Sequence, residues 1–179
     1  MQRSPVDGTS VPARQGRGAP SPWISDHAGL VPAGGPVLDL ACGSGRHALL
    51  FLGRGHPVVA VDRDISGVRD LPAELVEADL EDGPWPLPHR RFAGIVVTNY
   101  LWRPLLPRIV AAVAPGGVLL YETFAQGQAR FGRPANPDFL LRPGELLTAV
   151  AGQLEVRAYF DGETSEPAMR QRIVAVRRP

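Results

Sequence analysis

The sequence predicts an α/β fold: a doubly wound, Rossmann-like sheet of seven strands whose last two form an antiparallel hairpin. Three observations point there. Short apolar, β-branched runs alternate with helical or loop segments, as parallel strands joined by crossovers require. The first run, "VLDL", ends in the glycine-rich turn "ACGSG", which opens a segment of helical periodicity. Near the end, "LEVRAYF" and "RQRIVAVRR" alternate apolar and polar residues and are separated only by the polar "DGETSEPAM", a link suited to a hairpin.

Taken in order, residues 1–22 are polar and rich in Gly and Pro, a composition that cannot repay its ordering entropy and predicts a disordered tail. Residues 23–179 then form one domain, the size expected for 179 residues. Trp23 to Val31 reads as a helical turn, ended by "PAGGP". Val37 to Leu40 is the first strand, and Arg46 to Arg54 is a helix stopped by Gly53 and Gly55. "PVVAVD", "ELVEAD" and "FAGIVVTN" supply strands two to four. The link "LEDGPWPLPHRR" has three prolines, so that crossover is expected to be a loop. Residues 101 to 114 read as a helix, "APGG" as a tight turn and "VLLYET" as strand five. A Gly/Pro-rich excursion follows at 124 to 143, then a helix near 143 to 151 and the hairpin.

Composition excludes several function classes. With 44% hydrophobic and 21% charged residues and no run long enough to span a bilayer, the chain is expected to be soluble, with no membrane partner. The N-terminal residues lack the apolar core of a signal peptide, and the single Cys42 cannot form an intrachain disulfide, which together favour the cytoplasm. A net charge of +1, without a basic stripe, gives nucleic acid no footprint. All 19 basic residues are arginine, a bias that a GC-rich genome produces without functional meaning. Arg170, Arg172, Arg177 and Arg178 cluster near the end, either to protect an edge strand or to touch an anionic partner. The four histidines show no metal-ligand spacing with Cys42, so no metal is expected.

In a doubly wound sheet, ligands bind beyond the carboxyl ends of the strands. Polar residues follow every apolar run at that edge: the glycine turn, Asp62-Arg63, Asp79-Leu80, Asn99-Tyr100 and Glu122. The turn satisfies G-x-G-x-x-A through Gly43, Gly45 and Ala48. Taken alone it suits a pyrophosphate, an amino-acid carboxylate, or no ligand at all, because glycines and a helix N-terminus serve any anion. Asp39, at the end of strand one, repels a diphosphate but can hold an ammonium, directly or through water. Asp62 is placed to accept from ribose hydroxyls, and Asp79 from an adenine amino group while the Leu80 N–H donates to a ring nitrogen.

On "LDLACGSG", "VVAVD", "VEADL", "IVVTNY" and "LLPRIVAAVAPGGVLLYE", the chain resembles the class I S-adenosylmethionine-dependent methyltransferases over residues 36–178. It is most similar to the small, single-domain bacterial type associated with tellurite resistance, without implying a tellurite substrate. The resemblance implies S-adenosyl-L-methionine as cofactor and a small-molecule methyl acceptor. It places Asp39, Ala41, Gly43 and Gly45 along the methionine part, Asp62 at the ribose with Arg63 flanking the adenine, Asp79 and Leu80 on the adenine edge, and Asn99 beneath the sulfonium. Ala41 stands where the family has its first glycine, which a negative φ would tolerate. No proline pair follows Asn99-Tyr100, so amino- and amide-N-methylation lose support.

Methyl transfer is an in-line displacement that depends mainly on alignment, worth about 7–11 kcal/mol. Tyr100, Glu122 and His47 are the candidates for a base; each also has an ordinary structural role open to it, as sheet cap, ion-pair partner of Arg103 or Arg133, and first-turn helix residue. The acceptor pocket is expected under the Trp23 region and the 124–143 loop, with Phe124, Arg130, Phe131, Arg133 and Phe139. Two other function classes remain, an NAD-dependent oxidoreductase and a non-catalytic S-adenosylmethionine-binding module.

Overall fold

The alternating faces of the apolar runs sort this chain into two cores on opposite sides of one sheet. The computed structural model describes residues 16–179, so residues 1–15 of the expected tail lie outside the described residues. The strands are β1 (Val37–Leu40), β2 (Val58–Asp62), β3 (Glu74–Glu77), β4 (Phe92–Thr98), β5 (Val113–Phe124), β6 (Glu155–Glu163) and β7 (Met169–Val176). They run in the order β3-β2-β1-β4-β5-β7-β6. The first five pair in parallel, while β7 is antiparallel to both β5 and β6.

The helices are short: α1 (Pro22–His27), α2 (Arg46–Leu52), α3 (Leu106–Ala111) and α4 (Glu145–Val150). Period-2 alternation along β1 sends Leu38 and Leu40 to one face, where they join Ile109 and Val110 of α3 and Leu146 and Val150 of α4. Val37 points the other way, to Ile24 of α1 and to Ala48 and Phe51 of α2. The expected helix at 101–114 is regular only from 106, because Pro104 and Pro107 leave its start as a 3₁₀ turn at Arg103–Leu105. Between β3 and β4 the proline-rich crossover contains no helix.

Two features of the sheet position the site. Strand order reverses between β1 and β4, which opens a crevice at their carboxyl ends. Because β7 is antiparallel and inserted between β5 and β6, its first residues arrive at that same end, with Arg172 opposite Glu122 and Arg170 opposite Phe124. The arginines of "RQRIVAVRR" are therefore not edge protection: β7 is an interior strand, and β6 takes the edge.

Candidate functional site

The glycine turn is a tightly tied structure. Cys42 N–H donates to Val61 O at 3.0 Å and Gly45 N–H to Cys42 O at 2.9 Å, folding the chain back into α2. The backbone at Ala41 reaches φ 53°, in the left-handed region, where the sequence reading asked for a negative φ; the sharp exit from β1 imposes it despite the Cβ. Asn99, at the end of neighbouring β4, has φ 54°. Both non-glycine positive-φ residues of this crevice thus flank the strand-order reversal, and such strain tends to gather at functional sites.

α2 begins on Gly45, which has no side chain to cap the first-turn amides. Asp39 serves instead from β1, its Oδ2 accepting the Ala48 N–H at 2.8 Å. Asp39 is buried, and this desolvation pushes its carboxyl up to about 7, although the Ala48 amide and Arg46 pull the other way. Burial likewise pushes the Cys42 thiol up to about 12, with Asp39 and Asp62 adding to the effect, so it stays a protonated small residue in the turn. A Cβ on Gly45 would stand 2.5 Å from Val68 Cγ1 and 2.8 Å from Leu71 Cδ1. That glycine is therefore needed for packing.

The chain before α1 lies across the turn. Arg17 Nε donates to Ser44 O at 2.9 Å and the same guanidinium pairs with Asp70, while Ser44 Oγ donates back to Arg17 O. Four residues on, Ser21 N–H donates to His47 Nε2 at 3.1 Å. His47 is buried, and burial followed by repulsion from Arg46 lowers it to about 4. Its Nε2 lone pair is spent on Ser21, which leaves Nδ1–H to face Thr98 Oγ1 at 3.4 Å. His47 thus fastens the N-terminal segment to α2, and burial favours its neutral form.

Two cavities open at the strand ends. The first, about 290 Å³, is lined by Ala41, Asp62, Arg63, Asp79, Leu80 and Tyr100, among others. Asp62 spends one oxygen on Gly43 N–H at 2.8 Å and the other on Asp64 N–H at 3.1 Å, tying β2 to the glycine turn and leaving further lone pairs. Asp79 Oδ1 takes the N–H groups of Glu81 and Asp82, which hold its carboxyl below the usual range. Among the described residues, Asp79 Oδ2 and the Leu80 N–H have no protein partner. The Tyr100 hydroxyl is also buried without a partner. Burial, then Glu81, Asp79 and Asp62, push it well above its ordinary value, so the hydroxyl stays protonated and can donate a hydrogen bond at neutral pH.

The second cavity, about 580 Å³, lies beyond Asn99, and its walls include Arg46, Glu122, Phe124, Arg170 and Arg172. Glu122 is buried, with Oε2 3.0 Å from Arg172 Nε; Arg103 pairs with Glu145 instead. Tyr100 and Glu122, the two candidate catalytic residues, are therefore on different cavities and do not converge.

No family model and no curated protein sequence matches the chain. Solved structures do. A TehB-like SAM-dependent methyltransferase from Corynebacterium glutamicum aligns with a TM-score of 0.64 at 21% identity, over 87% of this chain and 88% of that one. This chain has the class I methyltransferase fold. TehB from Haemophilus influenzae gives 0.66 at 20% identity over 87% of this chain, which spans only 61% of that one. The 1,6-didemethyltoxoflavin-N1-methyltransferase of Burkholderia thailandensis, solved with its substrate and S-adenosylhomocysteine, gives 0.61 at 19% identity over 87% and 77% of the two chains. At such identities the likeness fixes the fold and leaves the chemistry to the residues.

Within the methyltransferase fold, the structure brings Ala41, Asp62, Arg63, Asp79 and Leu80 together around one cavity and puts Asn99 on the next. Gly43 is open on the side where a Cβ would stand, whereas Asp39 and Gly45 are turned into the protein. The 124–143 loop contributes Phe124 and Gln128 to the second cavity; Arg130, Phe131, Arg133 and Phe139 are not among its walls. Arg130 instead pairs with Glu163 and stacks on Phe131, and Phe139 is exposed. Sequence reasoning did not single out Arg46, and it left Arg170 and Arg172 open between edge protection and contact with an anionic partner. The signal for these two was the hairpin itself, since an antiparallel β7 next to β5 must begin at the ligand edge.

Proposed function

We propose that this protein is a cytoplasmic enzyme that transfers the methyl group of S-adenosyl-L-methionine to a small-molecule acceptor. The observation that carries the reading is the unpaired Asp79 Oδ2 and Leu80 N–H at the first cavity, an acceptor and a donor side by side where an adenine edge presents the complementary pair. Asp62 would take the ribose hydroxyls, Arg63 would flank the ring, and the orphaned Tyr100 hydroxyl would donate to the bound molecule. When bound, S-adenosylmethionine supplies an activated methyl group: the acceptor's lone pair forms the new bond, and the carbon–sulfur pair leaves with sulfur.

The protein's task is then alignment, with Ala41 on the wall of the first cavity and Asn99 on that of the second, both in left-handed backbone conformations. A dinucleotide fits less well. Asp39 already occupies the Ala48 amide that a pyrophosphate would use, and Val68 and Leu71 fill the space beside Gly45.

Calorimetry with S-adenosylmethionine, S-adenosylhomocysteine and NADH tests this reading. Micromolar binding of the first two and none of NADH is expected, and the opposite order overturns it. A methyl-transfer screen then separates an enzyme from a non-catalytic binding module, which would bind and turn nothing over.

A further inference from the structure

The second cavity is the acceptor side of the proposed reaction, and its walls say what kind of acceptor it takes. Three arginines, Arg46, Arg170 and Arg172, face it against two carboxylates, Glu122 and Glu166. Glu122 is committed to Arg172, and Glu166 is exposed on the turn between β6 and β7. The cavity therefore keeps positive charge unspent.

That charge is held in a fixed arrangement. Arg170 lies with its guanidinium carbon 4.2 Å from the centre of the Phe124 ring and donates from Nη1 to Asn99 Oδ1 at 2.7 Å. Arg172 sits between Trp23 and Phe160, at 5.9 and 5.5 Å from the ring centres. Its Nε and Glu122 Oε2 are 3.0 Å apart but poorly aligned, so each is buried without a true hydrogen bond. Ser21 Oγ, on the same cavity, is likewise buried and unpartnered. A partly desolvated guanidinium fork on the same cavity as an orphaned hydroxyl suits a carboxylate, which accepts two parallel N–H bonds from arginine. The Phe124 ring and the prolines at 22 and 167 offer the flat apolar surface for the rest of the molecule.

We propose that the methyl acceptor is a small planar organic acid, its carboxylate held by Arg170 beside Asn99. The inference rests on the methyltransferase reading for the word acceptor, but the anion site stands on its own walls.

The test uses the full chain, with and without S-adenosylhomocysteine, titrated with benzoate, salicylate and nicotinate, their three carboxamides, and phenyl phosphate, followed by ligand-observed NMR. The acids should bind about 10- to 100-fold more tightly than their amides. Arg170→Gln should erase that difference, and Arg108→Gln, on α3 and away from this cavity, should leave it intact. Arg170→Lys, which keeps the charge but loses the fork, should fall between and serves if the glutamine variant does not fold. Amides that bind as well as acids, or acid binding unaffected by Arg170→Gln, would overturn the proposal. Binding of phenyl phosphate and none of the acids overturns the carboxylate assignment. If S-adenosylhomocysteine does not bind while the acids still outbind their amides, the cofactor reading falls and the anion site stands.

Discussion

Asp39→Asn isolates the electrostatics of the turn. In the folded chain the Asp39 carboxyl moves from 3.8 to about 7, chiefly because burial disfavours its charge. At about 1.4 kcal/mol per pKa unit, the folded state favours the protonated form by about 4 kcal/mol. The sign follows from proton counting. Between pH 4 and 7 the folded chain holds a proton here that the unfolded chain has released, so the contribution to stability falls as pH rises through that window. Asparagine keeps an oxygen for the Ala48 amide and cannot ionise. Relative to wild type, the variant should therefore gain about 4 kcal/mol between pH 4 and pH 8, offset at every pH by about 1–3 kcal/mol if its buried NH₂ finds no acceptor. His47 changes in the opposite sense, since its lowered pKa makes stability rise from about pH 4 to 6.5, but it is present in both proteins and cancels in the difference. Urea unfolding at half-unit pH steps reads this directly. A variant-minus-wild-type difference that is flat with pH would refute the reasoning.

Other expected outcomes concern the crevice. Ala41→Gly relieves the left-handed backbone at φ 53° and, after the entropy cost of glycine, should stabilise the chain by about 0.5–1 kcal/mol in urea melts. Gly45→Ala forces a Cβ to within 2.5 Å of Val68 at φ 73° and should cost about 2–4 kcal/mol by the same measurement. Asp79→Asn keeps Oδ1 for its two amides but turns a donor toward the adenine amino group; calorimetry should show S-adenosylhomocysteine binding weakened about 10- to 100-fold, with a melting temperature near that of wild type.

The parts of the fold readable from the sequence were those controlled by local pattern. The runs at Val37, Val58, Glu74 and Phe92 became parallel strands because β-branched residues between turn signals have few other uses. Asp62 and Asp79 were readable as site residues because the ends of parallel strands meet at one edge. Sequence pattern did not reveal what depends on distant partners. The left-handed turn at Ala41 follows from the bond of Cys42 to Val61 on the next strand, which composition does not announce. For Arg170 and Arg172 the sequence left edge protection and contact with an anionic partner both open, and only the placement of β7 between β5 and β6 removes the first. Arg17 and Ser21, in a segment whose composition reads as disordered, gain their order from Ser44, Asp70 and His47. Polar composition alone gives no sign of such contacts.

The account depends most on the cavity beneath Tyr100 holding an adenosyl group. A crystal structure of the protein grown with S-adenosylhomocysteine should place the adenine amino group on Asp79 Oδ2, a ring nitrogen on the Leu80 N–H and the ribose on Asp62, with the sulfur directed toward Asn99. Adenine density in any other place, or a ligand whose phosphate-like end sits on the first turn of α2, would contradict it.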